Sequence, residues 1–205
     1  MSVNVTARVA YWKRLNHPMP RYVAFLRAIN VGGHTVKMDH LRRLFEALDF
    51  DNVATFIASG NVVFETPDTD TDSLEETIET HLQAALGYPV ATFLRSAPEV
   101  AAIAAYQPFP DADLDADSAA LYIAFLPSAP NSAAQAQLLA ARTPADDFHF
   151  RGRELYWLRR RRLSDAAYPG PPIEKILGLP ATTRNATTVR KLAAKYAADA
   201  AQEKP

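Results

Sequence analysis

Tyr22-Val23-Ala24-Phe25-Leu26 comes back one hundred positions later as Tyr122-Ile123-Ala124-Phe125-Leu126, with isoleucine for valine as the single change. Each short apolar run reads as a buried strand. Five similar residues can recur by chance, so the pattern of elements after each run has to decide. After the first comes the loop Ile29-Asn30-Val31-Gly32-Gly33-His34. Leu41, Leu44, Phe45 and Leu48 then fall at i, i+3, i+4 and i+7, one apolar helix face, with Asp39 near its start. Residues 53–58 and 62–65 read as strands, and Ser59-Gly60-Asn61 between them is short enough to make an antiparallel hairpin. An acidic helix is expected over 73–86, with Leu74, Ile78, Leu82 and Leu86 on one side and Gly87 as its stop. Residues 90–94 make another strand. The order is βαββαβ, that of a ferredoxin-like unit.

The second run opens a comparable series. An alanine-rich helix is expected over 131–142, and residues 148–151 and 154–158 form a hairpin turning at Gly152. One helical turn is expected at 173–177, and Val189, Leu192, Ala193 and Tyr196 mark a last helix. This half reads βαββα. The fold class is therefore α+β, two ferredoxin-like halves from an internal duplication. Between them, Ser96-Ala97-Pro98-Glu99 has capping-box spacing with proline in the first turn, which predicts a helix to about Tyr106. The Pro- and Asp-rich stretch 107–117 reads as a loop and the candidate boundary. The expected domains are an extension over 1–19, a half over 20–95, a linker helix and loop over 96–117, a half over 118–200 and a tail over 201–205.

The chain has 205 residues, 48% of them hydrophobic and 22% charged, enough to bury a sizeable core. It has no cysteine, which excludes disulfides, thiolate nucleophiles and cysteine-ligated zinc or iron–sulfur sites. Residues 1–20 carry Arg8, Lys13 and Arg14 and no apolar core, so they read neither as a signal peptide nor as a membrane span. A cytoplasmic location is expected. The formal net charge is −1, but residues 65–120 hold twelve acidic and one basic residue, and 149–205 hold twelve basic and five acidic. Such asymmetry reads as solvated or mutually facing patches, or as a basic surface for an anionic partner.

Several stretches together resemble DUF1697, a family of uncharacterised, mostly bacterial proteins. They are Tyr22-Val-Ala-Phe-Leu-Arg-Ala-Ile-Asn-Val-Gly-Gly33, Lys37-Met38, Ser59-Gly-Asn-Val-Val-Phe64 and Ala181-Thr-Thr-Arg-Asn185, with Thr187, Thr188 and Val189 after it. The resemblance runs from about Arg21 to Tyr196. The family usually has tryptophan after the Arg-Asn pair, where this chain has Ala186. The resemblance implies an architecture of two ferredoxin-like halves and no established activity.

Three segments are candidates for ligand contact. Arg27, Asn30, Gly32, Gly33 and Lys37 lie between a strand and a helix, where a Gly-Gly step lets backbone N–H groups approach an anion that Arg and Lys hold. The pattern is neither G-x-G-x-x-G nor a Walker A loop. The plainer reading is a structural turn in which Asn30 caps backbone groups. Ser59, Gly60 and Asn61 could contact a ligand at the hairpin tip, or simply tolerate the turn's positive φ. Arg184 and Asn185, after Thr182 and Thr183, could hold phosphate or carboxylate, or merely cap the last helix.

A fourth segment, Arg159-Arg160-Arg161-Arg162 with Tyr156, Trp157 and Tyr168 nearby, mimics a basic patch with stacking aromatics. It lacks an RNP1 pattern, and a solvated loop explains it as well. His17, His34, His40, His81 and His149 show no metal-ligand spacing, and His34 beside the glycines is the one suited to acid–base work. Asp111, Asp113, Asp115 and Asp117 alternate as in a calcium loop but lack its glycine and distal glutamate. No G-x-S-x-G is present. No catalytic residue, cofactor or metal is assigned. The leading expectation is a small anionic ligand in a cleft between the halves, met by Arg27, Asn30, Lys37, Asn61 and Arg184. The alternatives are a nucleic-acid module using Arg159 to Arg162, or an interaction or structural unit without catalysis.

Overall fold

The computed structural model describes residues 19–30, 33, 35–58, 60–110, 119–160 and 170–196 of the chain. The chain divides into two compact units, Met1–Ala97 and Pro98–Pro205. Among the described residues there are eight strands and six helices. The fold is α+β, with two four-stranded antiparallel sheets.

The first unit runs β1 (Arg21–Leu26), α1 (Met38–Glu46), β2 (Asp51–Thr55), β3 (Asn61–Glu65), α2 (Thr71–Leu86), β4 (Thr92–Ser96). Its sheet order is β2-β3-β1-β4. Period-2 alternation sends Tyr22, Ala24, Leu26, Val62, Phe64 and Leu94 into one cluster with Leu41 and Phe45 of α1 and Leu74, Ile78 and Leu82 of α2. Each fully buried side chain of this size contributes about 1.5–3 kcal/mol. The stacked Phe50 and Phe64 rings, 4.3 Å apart, close one end. α2 starts where Asp70 accepts a hydrogen bond from Ser73 N and stops where Gly87 turns left-handed at φ 82.

The second unit runs α3 (Ala97–Ala105), β5 (Ala120–Phe125), α4 (Ser132–Ala140), β6 (Asp146–Arg151), β7 (Glu154–Arg159), α5 (Ile173–Leu177), β8 (Thr182–Asn185), α6 (Ala186–Tyr196). Its sheet order is β6-β7-β5-β8. Ala124, Leu126, Leu138, Phe148, Leu155, Trp157 and Leu177 form its cluster. The Trp157 indole donates to the buried Asp146 carboxylate at 2.6 Å, which ties β7 to β6.

The two sheets share more than strand order. Tyr22 faces Phe64 and Tyr122 faces Trp157, while Val23 faces Arg95 and Ile123 faces Arg184. Leu26 N donates to Gly60 O, and Leu126 N to Arg153 O.

Two expectations need correction. The second half is not βαββα: Thr182–Asn185 forms a fourth strand before the last helix. That strand is four residues long and carries Thr, Thr, Arg and Asn, so no apolar signal announces it. In the first hairpin the strands end at Thr55 and begin again at Asn61, which leaves a five-residue connection rather than a tight turn. Phe56 N donates to Asn61 O, and the Asn61 side chain returns a bond to Phe56 O, so the connection closes on itself. The helix placed in a linker by sequence is α3, which falls in the second unit but for its first residue. The Asp-rich loop over 111–117 and the terminal segments over 1–18 and 197–205 lie outside the described residues.

Candidate functional site

In the first unit the chain turns as soon as β1 ends. Arg27 N donates to Ala91 O at 2.8 Å, and Ala28 adopts a left-handed φ of 57. Asn30 spends both ends of its amide on backbone. Its Nδ2 donates to Ala58 O at 3.0 Å, and its Oδ1 accepts from Val36 N at 2.7 Å. One side chain thereby joins both ends of the loop to the hairpin connection. Asn61 is fully buried and donates to Phe56 O. Gly60 has φ 70, and a Cβ there would lie 2.5 Å from Ile29 Cγ2. Asn30, Gly60 and Asn61 therefore build the turn itself. Gly32, His34 and Ser59 lie outside the described residues.

Arg27 and Lys37 are exposed. Lys37 occupies the N-cap of α1 and makes no side-chain capping bond. Beside it lies an open depression of about 450 Å³, lined by Gly33, Thr35, Lys37 and His40 from one side and Leu86 and Tyr88 from the other. None of the described lining residues is acidic. The helix dipole adds a partial positive charge at this end of α1. Sequence reasoning pointed to Gly33 and Lys37 but not to His40 or Tyr88. His40 stands three residues after Lys37, a helical spacing that could have been read. Tyr88 arrives from the far end of α2 and leaves no local signal.

In the second unit, Arg184 lies on β8 and is 8% exposed. Its Nη1 donates to Thr182 Oγ1 at 2.8 Å and to Thr183 O at 3.0 Å. Burial pushes this guanidinium down to about 10. Asn185 accepts from Thr187 N at 2.8 Å, a turn at the start of α6. Of the arginine run, Arg159 is 1% exposed with its guanidinium over the Trp157 ring, 5.3 Å from the centroid. Arg160 donates to Pro144 O, and Arg161 and Arg162 lie outside the described residues.

The sequence did not single out a cluster at the C-terminal end of α3. Tyr106 Oη and His149 Nε2 are 2.7 Å apart, Arg151 lies over the Tyr106 ring, and Tyr156 Oη donates to Ile103 O. Burial first, and then the Glu154 carboxylate, push the Tyr156 phenol up. Among the described residues no group of three or more His, Asp or Glu side chains could hold a metal ion. No helix among them is long and apolar enough to cross a membrane.

The chain is similar to a solved structure of the conserved bacterial protein SP0830 from Streptococcus pneumoniae. The two are 23% identical with a TM-score of 0.63, over 86% of this chain and 98% of that one. That likeness concerns the fold alone. No curated protein matches the chain. A family described as "Protein of unknown function (DUF1697)" matches residues 19–156. With the Tyr22–Leu26 strand, the Asn30 loop and the Gly60-Asn61 connection all inside the matched span, the chain belongs to the DUF1697 family.

Proposed function

We propose that the protein binds a small anionic ligand in the first unit, at the depression beside the start of α1. The observation that carries this reading is charge. An exposed Lys37 at an uncapped helix N-terminus, with His40 one turn on, lines an open hollow that has no carboxylate among its described lining residues. Asn30 supports the reading indirectly, because its two bonds hold the loop ahead of Lys37 in one shape. Lys37 would hold the anion, Thr35 would offer a hydroxyl group, and Leu86 would contact an apolar portion, while the Tyr88 hydroxyl is given to Ile29 O. No bond is made or broken in this reading.

Calorimetric titration with inorganic phosphate, pyrophosphate and malonate tests it. Saturable binding of one of these, weakened about ten-fold by Lys37→Gln, is the expected result, since a hydrogen bond to a charged group contributes about 1.5–3 kcal/mol. Binding of none of them, or binding indifferent to Lys37→Gln, removes the proposal. The nucleic-acid alternative draws less support, because Arg159 is buried and Arg160 is engaged with Pro144.

We also read the two units as ferredoxin-like halves that arose by duplication. Strand orders of the same form support this, as do the matching partners of Tyr22 and Tyr122 and of Val23 and Ile123.

A further inference from the structure

The outer edges of the two sheets are finished differently. In the first unit β4 is an edge strand, and two of the N–H groups that point away from β1 are taken by glutamates of α2. Thr92 N donates to Glu79 Oε1 at 2.8 Å and Leu94 N to Glu75 Oε1 at 2.7 Å. Glu75 and Glu79 stand four apart on one face of a sixteen-residue helix, so a single helix reaches two successive outward donors.

β8 is the edge strand at the same place in the second sheet. Leu94 faces Ala24, and Thr183 faces Ala124. Ala181, two residues before Thr183, has its N–H capped by Glu174 Oε1 at 2.7 Å, as Thr92 is capped by Glu79. Outward N–H groups recur every second residue along an antiparallel edge, so Thr183 N–H points outward too. Among the described residues nothing accepts from it. The helix that should supply the second carboxylate is α5, of five residues. Four positions before Glu174 stands Gly170, which has no side chain, and a Cβ there would lie 2.8 Å from the Trp157 ring.

The short helix also leaves the helix-side face of β8 uncovered. Leu94 is 0% exposed, whereas Thr183 is exposed. At this spot lies an open depression of about 430 Å³, lined by Pro172, Ile173, Glu174, Lys175, Ala181 and Thr183. It offers a backbone donor, one ammonium and an apolar wall. Glu174 brings the one carboxylate, and its Oε1 is already bonded to Ala181 N.

We infer that this depression binds the carboxylate of a small organic acid, which takes from Thr183 N–H the hydrogen bond that Glu75 takes from Leu94 N–H. Lys175 neutralises the carboxylate, and a short apolar tail lies on Pro172, Ile173 and Ala181. Strand addition fits the edge less well, since Ala181 N is capped and Thr183 O accepts from Arg184. The site is separate from the proposed anion site of the first unit and does not depend on it.

Amide chemical shifts of the intact protein, titrated with sodium butyrate and with butyramide as the neutral control, test the inference. Butyrate should move the Thr183 amide saturably while butyramide does not. Thr183→Pro, which deletes the donor at an edge position where proline is tolerated, should weaken binding about ten-fold or more. Lys175→Gln should weaken it several-fold in a chain that keeps every backbone donor, and Lys37→Gln should leave it unchanged. An acetylated dipeptide ending in a free carboxylate, run against its amide, shows whether a chain terminus supplies the same group. No saturable shift at Thr183 with butyrate or the dipeptide overturns the inference. So does butyrate binding that survives Thr183→Pro and Lys175→Gln in folded protein.

Discussion

A methyl group on Gly60 would sit 2.5 Å from Ile29 Cγ2 and 3.3 Å from Leu26 Cβ, on a backbone at φ +70. Neither neighbour can retreat, because Ile29 and Leu26 are 2% and 1% exposed in a packed interior. Gly60→Ala is therefore expected to destabilise the protein by about 2–4 kcal/mol, the left-handed backbone costing about 1–2 and the overlap the remainder. Urea unfolding followed by circular dichroism checks it, and a loss below about 1 kcal/mol would mean that the loop yields. The sequence showed Gly60 as a turn residue, since glycine between two strands announces a positive φ. It did not show the overlap, because Ile29 comes from another loop thirty-one positions away. The same holds for Asn30 and Asn61. Asn30 reads as a ligand contact or a cap and Asn61 as a ligand contact or a residue tolerant of positive φ, and their bonds to Ala58, Val36 and Phe56 appear only in the fold.

At the scale of elements, the edge of β4 shows what a long helix does besides covering a sheet. Glu75 and Glu79 turn two outward donors of an edge strand into satisfied ones. An open edge invites pairing with another chain, and a negatively charged cap resists it. Glu75→Ala with Glu79→Ala should cost about 3 kcal/mol in urea unfolding, because Thr92 and Leu94 are 3% and 0% exposed and their N–H groups would lose charged partners. Sedimentation should then show association that grows with concentration. The doubly amidated variant, Glu75→Gln with Glu79→Gln, keeps an acceptor at each position and should lose less. Equal losses in the two variants would mean that charge, and not the hydrogen bond, holds the edge. The helices were the elements best seen in the sequence. Leu74, Ile78 and Leu82 at four-residue spacing, with Gly87 after them, leave little room for another reading of α2, although its start at Thr71 behind the Asp70 cap comes two residues ahead of the expected one. β8 was invisible for the opposite reason. Its place is fixed by pairing with β5, where Ile123 meets Arg184, and pairing between distant residues leaves no periodicity behind.

Over the whole molecule, the pair of five-residue runs was the strongest single signal, and each lies on a central strand of its sheet. β1 lies between β3 and β4, and β5 between β7 and β8. A strand buried on both of its faces carries apolar residues at successive positions, as Tyr22 to Leu26 do. α2 has sixteen residues and α5 five, and where the first sheet has Arg21 paired with Glu65 the second has Leu121 facing Leu158. Charge asymmetry, which suggested an anionic partner, located no site, because a count along the chain does not say which side chains face water. The proposed duplication makes a quantitative demand on the central strands. Phe25 and Phe125 occupy the same register position, each opposite a buried polar residue, Asn61 and Glu154, and each is 0% exposed. Phe25→Ala and Phe125→Ala should then each destabilise by about 3–5 kcal/mol, the cost of removing a fully buried phenylalanine from an unyielding site. Hydrogen exchange should show protection falling first in β1, β3 and β4 for Phe25→Ala, and in β5, β7 and β8 for Phe125→Ala. If one substitution cost less than about 1 kcal/mol while the other cost the full amount, the two positions would not be doing the same structural work, and common descent of the two strands would lose its best physical support.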